Sequence, residues 1–449
     1  MQKAILQAQA LIGWALLVVL MVATLALGAN RPVSWTLMAM AVMGLFAILL
    51  LFDLLQRRPP VFNQIWLPAI LFMAVLLWGT VQISPSLLPA SWFHPVWQLV
   101  PDSPGRVAAD PAQGLHMLMR LASYAMVFWI SMRVSADKDL ALRYLRAFAV
   151  FSMALAGFGI YAAVTGNNPI LGDLGNSNVS ASFVNRNNYA TFAGFGLVTC
   201  LALLLRAASH GQTGRSNAMA GMLQGMISGG WIWLAGVTLT GGALMLSLSR
   251  GGAAAAIVGV LVLLATRVQR GNRASWVPVV IVGVIVGAVF LSAATGTMNR
   301  VVTTSDEAGR FAVFPAIVQA IADRPLLGHG LGGFQTAFRA SVPAEAAMGE
   351  WDMAHNSYLE NAFELGLPAA LVFYAALALI GWRLWRGVRD RRQNRTPVSI
   401  SLACFLLAAF HALFDFSLQM PALAGVFAWL LGLGVAQSWR SSDLGSGPR

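Results

Sequence analysis

Three residues of this chain combine charged or reactive chemistry with an unusual setting. Arg250 stands in Leu246-Ser247-Leu248-Ser249-Arg250-Gly251-Gly252-Ala253, between two apolar runs with almost no loop, which puts a permanent cation at or within a membrane surface. An ionisable group there is costly and marks a functional site; the plainer alternative is an arginine snorkelling from a helix end. Arg310 opens a stretch rich in aromatic and aliphatic residues, and a guanidinium holds phosphate oxygens bidentately without losing its charge. His355 begins the polar cluster His355-Asn356-Ser357-Tyr358. Neutral imidazole takes a proton from a hydroxyl at physiological pH. Glu360 and Glu364 follow at i, i+4, placed either to orient these polar groups or to favour the start of the next helix.

The elements that must position these residues are membrane helices. The 449 residues are 58% hydrophobic and 10% charged, with a mean hydropathy of +0.69, where a soluble chain carries roughly a quarter charged residues. The expected fold is an all-α polytopic membrane protein, a single integral-membrane domain over 1–449 with about 12 transmembrane helices. The segments long enough to span lie near 10–28, 34–55, 65–83, 116–134, 146–165, 189–206, 229–248, 252–268, 276–295, 364–384, 398–416 and 420–438. Lys3 followed by an apolar run resembles a signal peptide, but the run is long enough to span and further spans follow, so an uncleaved first helix is expected. Cys200 and Cys404 both fall in apolar segments, so no disulfide is expected and both read as small core residues.

Alternating the loops between two sides separates the charges. One side receives 20 of the 29 basic residues, including the Arg383–Arg395 cluster, with 5 of the 17 acids; the other receives 9 basic residues and 12 acids. The positive-inside rule puts the basic side and both termini in the cytoplasm. It also accounts for a pI near 10.9 without nucleic acid, the arginine cluster acting as a topology signal beside anionic headgroups. The long loop 296–363, between predicted helices 9 and 10, then faces outward together with shorter loops at 84–115 and 166–188.

Within that loop Phe311, Phe314, Val318 and Ile321 recur at helical spacing, which predicts an amphipathic helix along the membrane surface. Pro315 breaks the pattern and predicts a kink or a late start. Pro325 ends the helix, and Gly328, Gly330, Gly332 and Gly333 permit tight turns and close backbone approach. Asp415 and His411 are the deepest ionisable residues of the late segments. No Asp-x-Asp pair or His/Cys cluster at ligand spacing occurs in an outer loop, so neither a catalytic metal nor any other cofactor is expected.

This arrangement resembles the O-antigen ligase and O-antigen polymerase superfamily of bacterial envelope enzymes. The matching residues are Ser249-Arg250-Gly251, Gly309-Arg310, the run from Asp323 to Phe334, His355-Asn356-Ser357-Tyr358-Leu359-Glu360 with Glu364-Leu365-Gly366, the asparagine-rich run from Phe183 to Ala190 that contains Arg186, and the run from His411 to Pro421 that contains Asp415. The resemblance implies a metal-independent, inverting glycosyltransferase of the bacterial inner membrane, its active site facing the periplasm. Its donor would be a glycan on polyprenyl (undecaprenyl) diphosphate, and its acceptor a hydroxyl on lipid A–core or on a growing glycan. Arg250 and Arg310 would hold the diphosphate, His355 would activate the acceptor, and Arg186, Asn356, Glu360 and Asp415 are supporting candidates. Phe314-Pro315 departs from the family's commoner tryptophan-containing, proline-free helix. A polysaccharide polymerase and a small-anion membrane transporter are the alternative functions. The transporter requires ionisable groups near the midplane of several helices, which this chain offers only in Asp415 and His411.

The charge split makes a topological prediction. Reporter fusions after Arg270 and Arg395 should read cytoplasmic and fusions near Pro343 periplasmic; a cytoplasmic signal at Pro343 would separate the long loop from any periplasmic substrate.

Overall fold

The computed structural model describes residues 2–55, 65–100, 102–172, 178–210, 229–267, 305–342, 351–391 and 394–439, with the side chains of 2–6, 209–210 and 305–312 left undescribed. Every regular element among the described residues is helical. The chain runs through α1 (Gln2–Leu25), α2 (Pro32–Leu55), α3 (Trp66–Ile83), α4 (Pro111–Val134), α5 (Lys138–Thr165) and α6 (Arg186–His210). It continues through α7 (Trp231–Leu246), α8 (Arg250–Ala265), α9 (Ser305–Asp323) and the short α10 (Phe334–Phe338). It ends with α11 (Ser357–Leu365), α12 (Leu367–Asp390), α13 (Thr396–His411) and α14 (Pro421–Ala436).

Among the described residues, seven helices are long and apolar enough to cross a membrane: α1 to α6 and α12. Four more of the expected segments, α7, α8, α13 and α14, are apolar helices of 16 residues each. At about 1.5 Å per residue these reach ~24 Å, short of a ~30 Å hydrocarbon core. Their ends explain the shortening. Leu248, at φ 54°, breaks the chain between α7 and α8, Ser249 accepts the Gly252 N–H to restart it, and prolines sit in the first turn of α13 and α14. The predicted ninth span, 276–295, and the first part of the 296–363 loop lie outside the described residues.

Packing gives the helix bundle two chemically different ends. α14 is buried along its whole length and lies against α4 and α13. A Cβ on Gly432 would come within 2.3 Å of the Phe128 carbonyl, and the Ser131 and Ser401 hydroxyls donate to the Trp429 and Leu430 carbonyls at 2.7 and 2.6 Å. Small residues and serine hydroxyls are how apolar helices approach closely. At one end of the bundle lie Arg206, Arg267, Arg383, Arg391 and Arg395, together with the Arg133–Asp53 ion pair, whose two hydrogen bonds are 3.1 and 2.8 Å. The opposite end carries the first turns of α6, α8 and α11. The two sides separated by the charge count are therefore two ends of one bundle.

The glycine-rich turn fastens that second end. Gly328, Gly330 and Gly332 all have positive φ. A Cβ would fall 2.3 Å from the Glu364 carbonyl at Gly328 and 2.4 Å from Ala108 Cα at Gly330. This closeness lets the His329 and Gly330 amides cap the C-terminal carbonyls of Phe363 and Glu364 in α11, at 2.8 and 3.0 Å. From α3, Gln82 Nε2 donates to the Leu327 and Glu364 carbonyls, while its Oε1 accepts from Leu331 N–H. The glycines thus make room for backbone.

A chain of hydrogen bonds ties the segment between α3 and α4 to the same turn. His329 Nε2 lies 3.0 Å from the Ala320 carbonyl, which can only accept, so its Nδ1 is the acceptor for His94 Nε2–H at 3.0 Å, and His94 Nδ1 accepts from Val96 N–H. This pattern needs both rings neutral. Burial, then the proximity of His329 and Arg324, lowers His94 to about 3, and burial lowers His329 as well.

The amphipathic helix exists, and the face it packs on the protein is offset from the expected stripe. α9 begins at Ser305, with no late start, and runs through Pro315. Val313, Ile317, Ala320 and Ile321 are buried against Phe334, Phe338 and Phe363, while Val318 is 53% exposed. The spacing i, i+4, i+7, i+8 selects the first set once a tertiary surface is present.

Gly328→Ala should lower stability by about 1–3 kcal/mol, because it combines a left-handed backbone with a carbonyl already at contact. Gly157, mid-helix in α5 with open space around it, is the control. Gly157→Ala should leave the melting temperature in detergent unchanged or raise it.

Candidate functional site

α11 exists because of what precedes it. Asn356 caps it, its Oδ1 accepting from Tyr358 and Leu359 N–H at 3.0 Å each, which satisfies two of the amides a helix start leaves orphaned. Asn356 Nδ2 donates to the Leu413 carbonyl at 3.1 Å. All three bonds are structural, so Asn356 positions the segment. His355 directly precedes the cap with φ 52°, a left-handed conformation seldom found outside turns and functional sites. Its half-buried ring packs edge-on against Phe416 and Trp351, at centroid distances of 4.9 and 6.5 Å.

The turn after α13 is the junction of the site. Ser357 N–H donates to the Ala412 carbonyl at 2.9 Å, and the Ser357 hydroxyl donates to the Asp415 carbonyl at 3.1 Å. Tyr358 donates its hydroxyl hydrogen to the Ala409 carbonyl at 2.8 Å. Asp415 is buried, and one of its carboxylate oxygens accepts from Phe416 N–H at 2.6 Å. His411, the last residue of α13, is hydrogen-bonded through Nδ1 to the Thr191 hydroxyl of α6 at 2.5 Å and to the Ser417 hydroxyl at 3.2 Å. A Cβ on Gly251 would lie 3.1 Å from His411 Nε2, and one on Gly252 would lie 2.4 Å from Ala190 Cβ. The first turns of α8 and α11 and the second turn of α6 therefore converge on residues 411–417. Each helix begins behind a capping side chain: Asn185, Ser249 and Asn356.

Two of the cations expected at the site stand at these helix starts. Arg186 and Arg250 are the first residues of α6 and α8, and both are exposed. Helix N-termini carry partial positive charge and bind anions, so the arrangement adds three helix dipoles to two guanidiniums. Arg310 belongs to α9, whose C-terminal half packs on α11, but its side chain lies outside the described residues.

Glu360 and Glu364 are buried struts. Glu360 Oε2 accepts from Ala354 N–H at 2.9 Å and Oε1 from Gln419 Nε2 at 3.0 Å, which fixes the backbone on both sides of His355. Glu364 Oε1 accepts from Phe334 N–H at 3.2 Å, and Oε2 is buried with no hydrogen-bond partner among the described residues. Burial raises both carboxyls above the ordinary carboxylate range, and the proximity of Glu364 raises Glu360 further.

A cavity of about 1870 Å³ leads away from this junction between α3, α4, α12, α13 and α14. Ser357, Tyr358, Glu364, Ala412 and Gln419 line its near end, and Arg206, Arg267, Arg389 and Arg395 line its far end. Its middle is apolar, lined by residues such as Phe72, Leu121, Leu402 and Phe427. The volume exceeds that of ordinary small-molecule pockets, about 300–1,000 Å³.

Residues 235–374 match the family model described as O-antigen ligase. The resemblance to the O-antigen ligase and polymerase superfamily is shown over that stretch. It supports an O-antigen ligase- or polymerase-like function in a multi-pass membrane protein. No curated protein matches the chain. The O-antigen ligase match contains Arg250, Arg310, His355, Asn356 and Glu360; it leaves out Asp415, which Ser357 meets, and Arg186, which opens the helix whose Ala190 packs on Gly252.

Sequence reasoning singled out neither Thr191, Gln419 nor Gln82. A glutamine near the end of an apolar helix was the one available signal for Gln82, since a buried amide needs partners.

The raised carboxyls set a direction for pH dependence. The folded chain holds these protons more tightly than the unfolded one, so their contribution is fully present below the ordinary carboxylate range and is lost as pH rises through the raised values. Thermal midpoints should fall from about pH 5 to pH 8. Glu364→Gln keeps the acceptor for Phe334 N–H and should make that fall shallower; an unchanged slope would show that Glu364 ionises freely.

Proposed function

We propose that the chain is an O-antigen ligase-like glycosyltransferase, moving a glycan from a polyprenyl diphosphate to an acceptor hydroxyl on the periplasmic side of the bacterial inner membrane. The observation that carries the reading is the continuity of two features. A lipid-sized groove ends at the residues that follow His355 and at the turn that meets the N-terminal ends of α6 and α8. A lipid-linked sugar needs that continuity, because its tail must stay in hydrocarbon while its diphosphate meets fixed positive charge.

In this reading Arg250 and Arg310 hold the diphosphate, with Arg186 and the helix N-termini adding to the field. The acceptor oxygen attacks the anomeric carbon as the bond to the diphosphate oxygen breaks, so the configuration inverts. The acceptor proton passes to the imidazole of His355, and the electron pair leaves with the diphosphate. Guanidiniums aimed at the developing phosphate charge lower the barrier without reorganising during reaction. Asn356, Glu360 and Asp415 hold the His355 segment in place. The acceptor, lipid A–core in a ligase or a growing glycan in a polymerase, is met from the periplasmic loop side.

The test separates binding from transfer, using purified protein in lipid. Arg250→Lys and Arg310→Lys should each lose about 2–4 kcal/mol of transition-state stabilisation, because a point charge lacks the guanidinium fork. His355→Ala should bind lipid-linked donor nearly as well as the parent while transfer falls about 10²–10⁴-fold. Normal turnover in His355→Ala would reduce His355 to a structural role, and normal binding and turnover in both arginine variants would remove the diphosphate clamp.

A further inference from the structure

The far end of the groove is cationic, and the transfer reaction has no use for it. Its separation from the His355 end follows from α12, which lines the groove from Phe373 to Asp390, about 26 Å at 1.5 Å per residue. A charge there acts on something other than the diphosphate.

The arginines of this end divide into two groups. Arg383 and Arg391 are committed to the protein: Arg383 donates to the Ser438 hydroxyl and carbonyl at 2.9 and 2.7 Å and stacks over Trp439, and Arg391 donates to Gln437 Oε1 at 3.0 Å. Arg206, Arg267, Arg389 and Arg395 instead line the groove, with Asp390 the one acid at this end among the lining residues. Arg267 is central to them. Arg206 and Arg395 are close enough to repel it, its bonds to the Ala202 carbonyl (3.4 Å) and Thr396 hydroxyl (3.3 Å) both come from Nη2, and its Nε is buried with no acceptor among the described residues. Arg206 is also within reach of Asp139 and Arg146, Arg395 Nε donates to the Arg391 carbonyl, and Arg389 stacks on Trp385. Four guanidiniums at the rim of a mostly apolar channel, opposed there by one lining carboxylate, complement an amphiphile with an anionic head.

We propose that this end of the groove is a binding site for one anionic phospholipid, its phosphate held by Arg267 and Arg395 and its acyl chains lying along Phe405, Leu402 and α12. The lipid sits in the leaflet opposite the one that His355 faces. Arginine favours phosphate for its planar fork, and the apolar middle of the groove supplies what a free anion would not need. The inference does not depend on the transfer reaction, since the arginines that hold the phosphate line the opposite end of the cavity from Ser357.

The test uses native mass spectrometry of the purified full chain with phosphatidylglycerol, phosphatidylethanolamine or inorganic phosphate. The parent should retain one phosphatidylglycerol at least tenfold more strongly than phosphatidylethanolamine, and millimolar inorganic phosphate should not displace it. Arg267→Gln combined with Arg395→Gln should lose that preference. Ala378→Trp, which fills the groove at a lining position of α12, should weaken retention with all four arginines intact, so the result does not hang on one variant's folding. Equal retention of both lipids, displacement by inorganic phosphate, or retention unchanged in both variants would each overturn the site.

Discussion

The structure depends on how it closes the carboxyl end of α11. The carbonyls of Phe363 and Glu364 end a nine-residue helix in apolar surroundings, where an unsatisfied acceptor is expensive. They are met by amides of the glycine turn and by the Gln82 side chain. Those bonds require backbone to pass within van der Waals contact of backbone, and so require glycine at 328 and 330. The other end of α11 is closed by the Asn356 cap and by the Ala412 carbonyl. A short helix fixed at both ends is what holds His355 in a left-handed conformation, half-buried beside Phe416.

The buried acids extend the same logic. Glu360 spans from the backbone before His355 to Gln419 after the 411–417 turn. Two carboxyls one helical turn apart in a dry environment repel when both ionise, and burial favours the neutral form. A neutral carboxyl here still accepts the amide bonds that shape the loop. It also leaves the local field to Arg186, Arg250 and the helix N-termini, with less opposing negative charge.

Much of this was legible in the sequence because it is periodic or punctuated. Apolar runs marked eleven of the expected segments that are helices in the structure, Pro325 and the glycines marked the turn, and the charge count separated the two ends that the packing also separates. What was not legible is long-range. Gln82 meets Leu327 and Glu364 across 245 and 282 residues, and His94 meets His329 across 235; no local pattern encodes such a pair. The face that α9 packs on the protein is offset from the expected stripe for a related reason. Phe311, Phe314, Val318 and Ile321 form one stripe of a helix and Val313, Ile317, Ala320 and Ile321 another, and the aromatic surface of Phe334, Phe338 and Phe363 chooses the second. The supporting residues were legible by type but not by role, since Asn356 and Glu360 bind backbone and side chains of the protein itself.

A lipid-linked substrate imposes a constraint that a soluble one does not, because its reactive centre cannot be carried to the catalyst independently of its tail. The catalyst must sit where a lateral groove meets the membrane surface. In the proposed reading that requirement is answered by sharing residues. Ser357 bonds to the 411–417 turn and also lines the groove, as do Tyr358, which bonds to Ala409 of α13, and Gln419, which bonds to Glu360 of α11. A change in the groove wall therefore propagates to the His355 segment through one side chain. The cations at the opposite mouth are too far away for that coupling. In the proposed reading they bias which lipids share the groove, while the glycine turn and the capped starts of α6, α8 and α11 position the reacting groups.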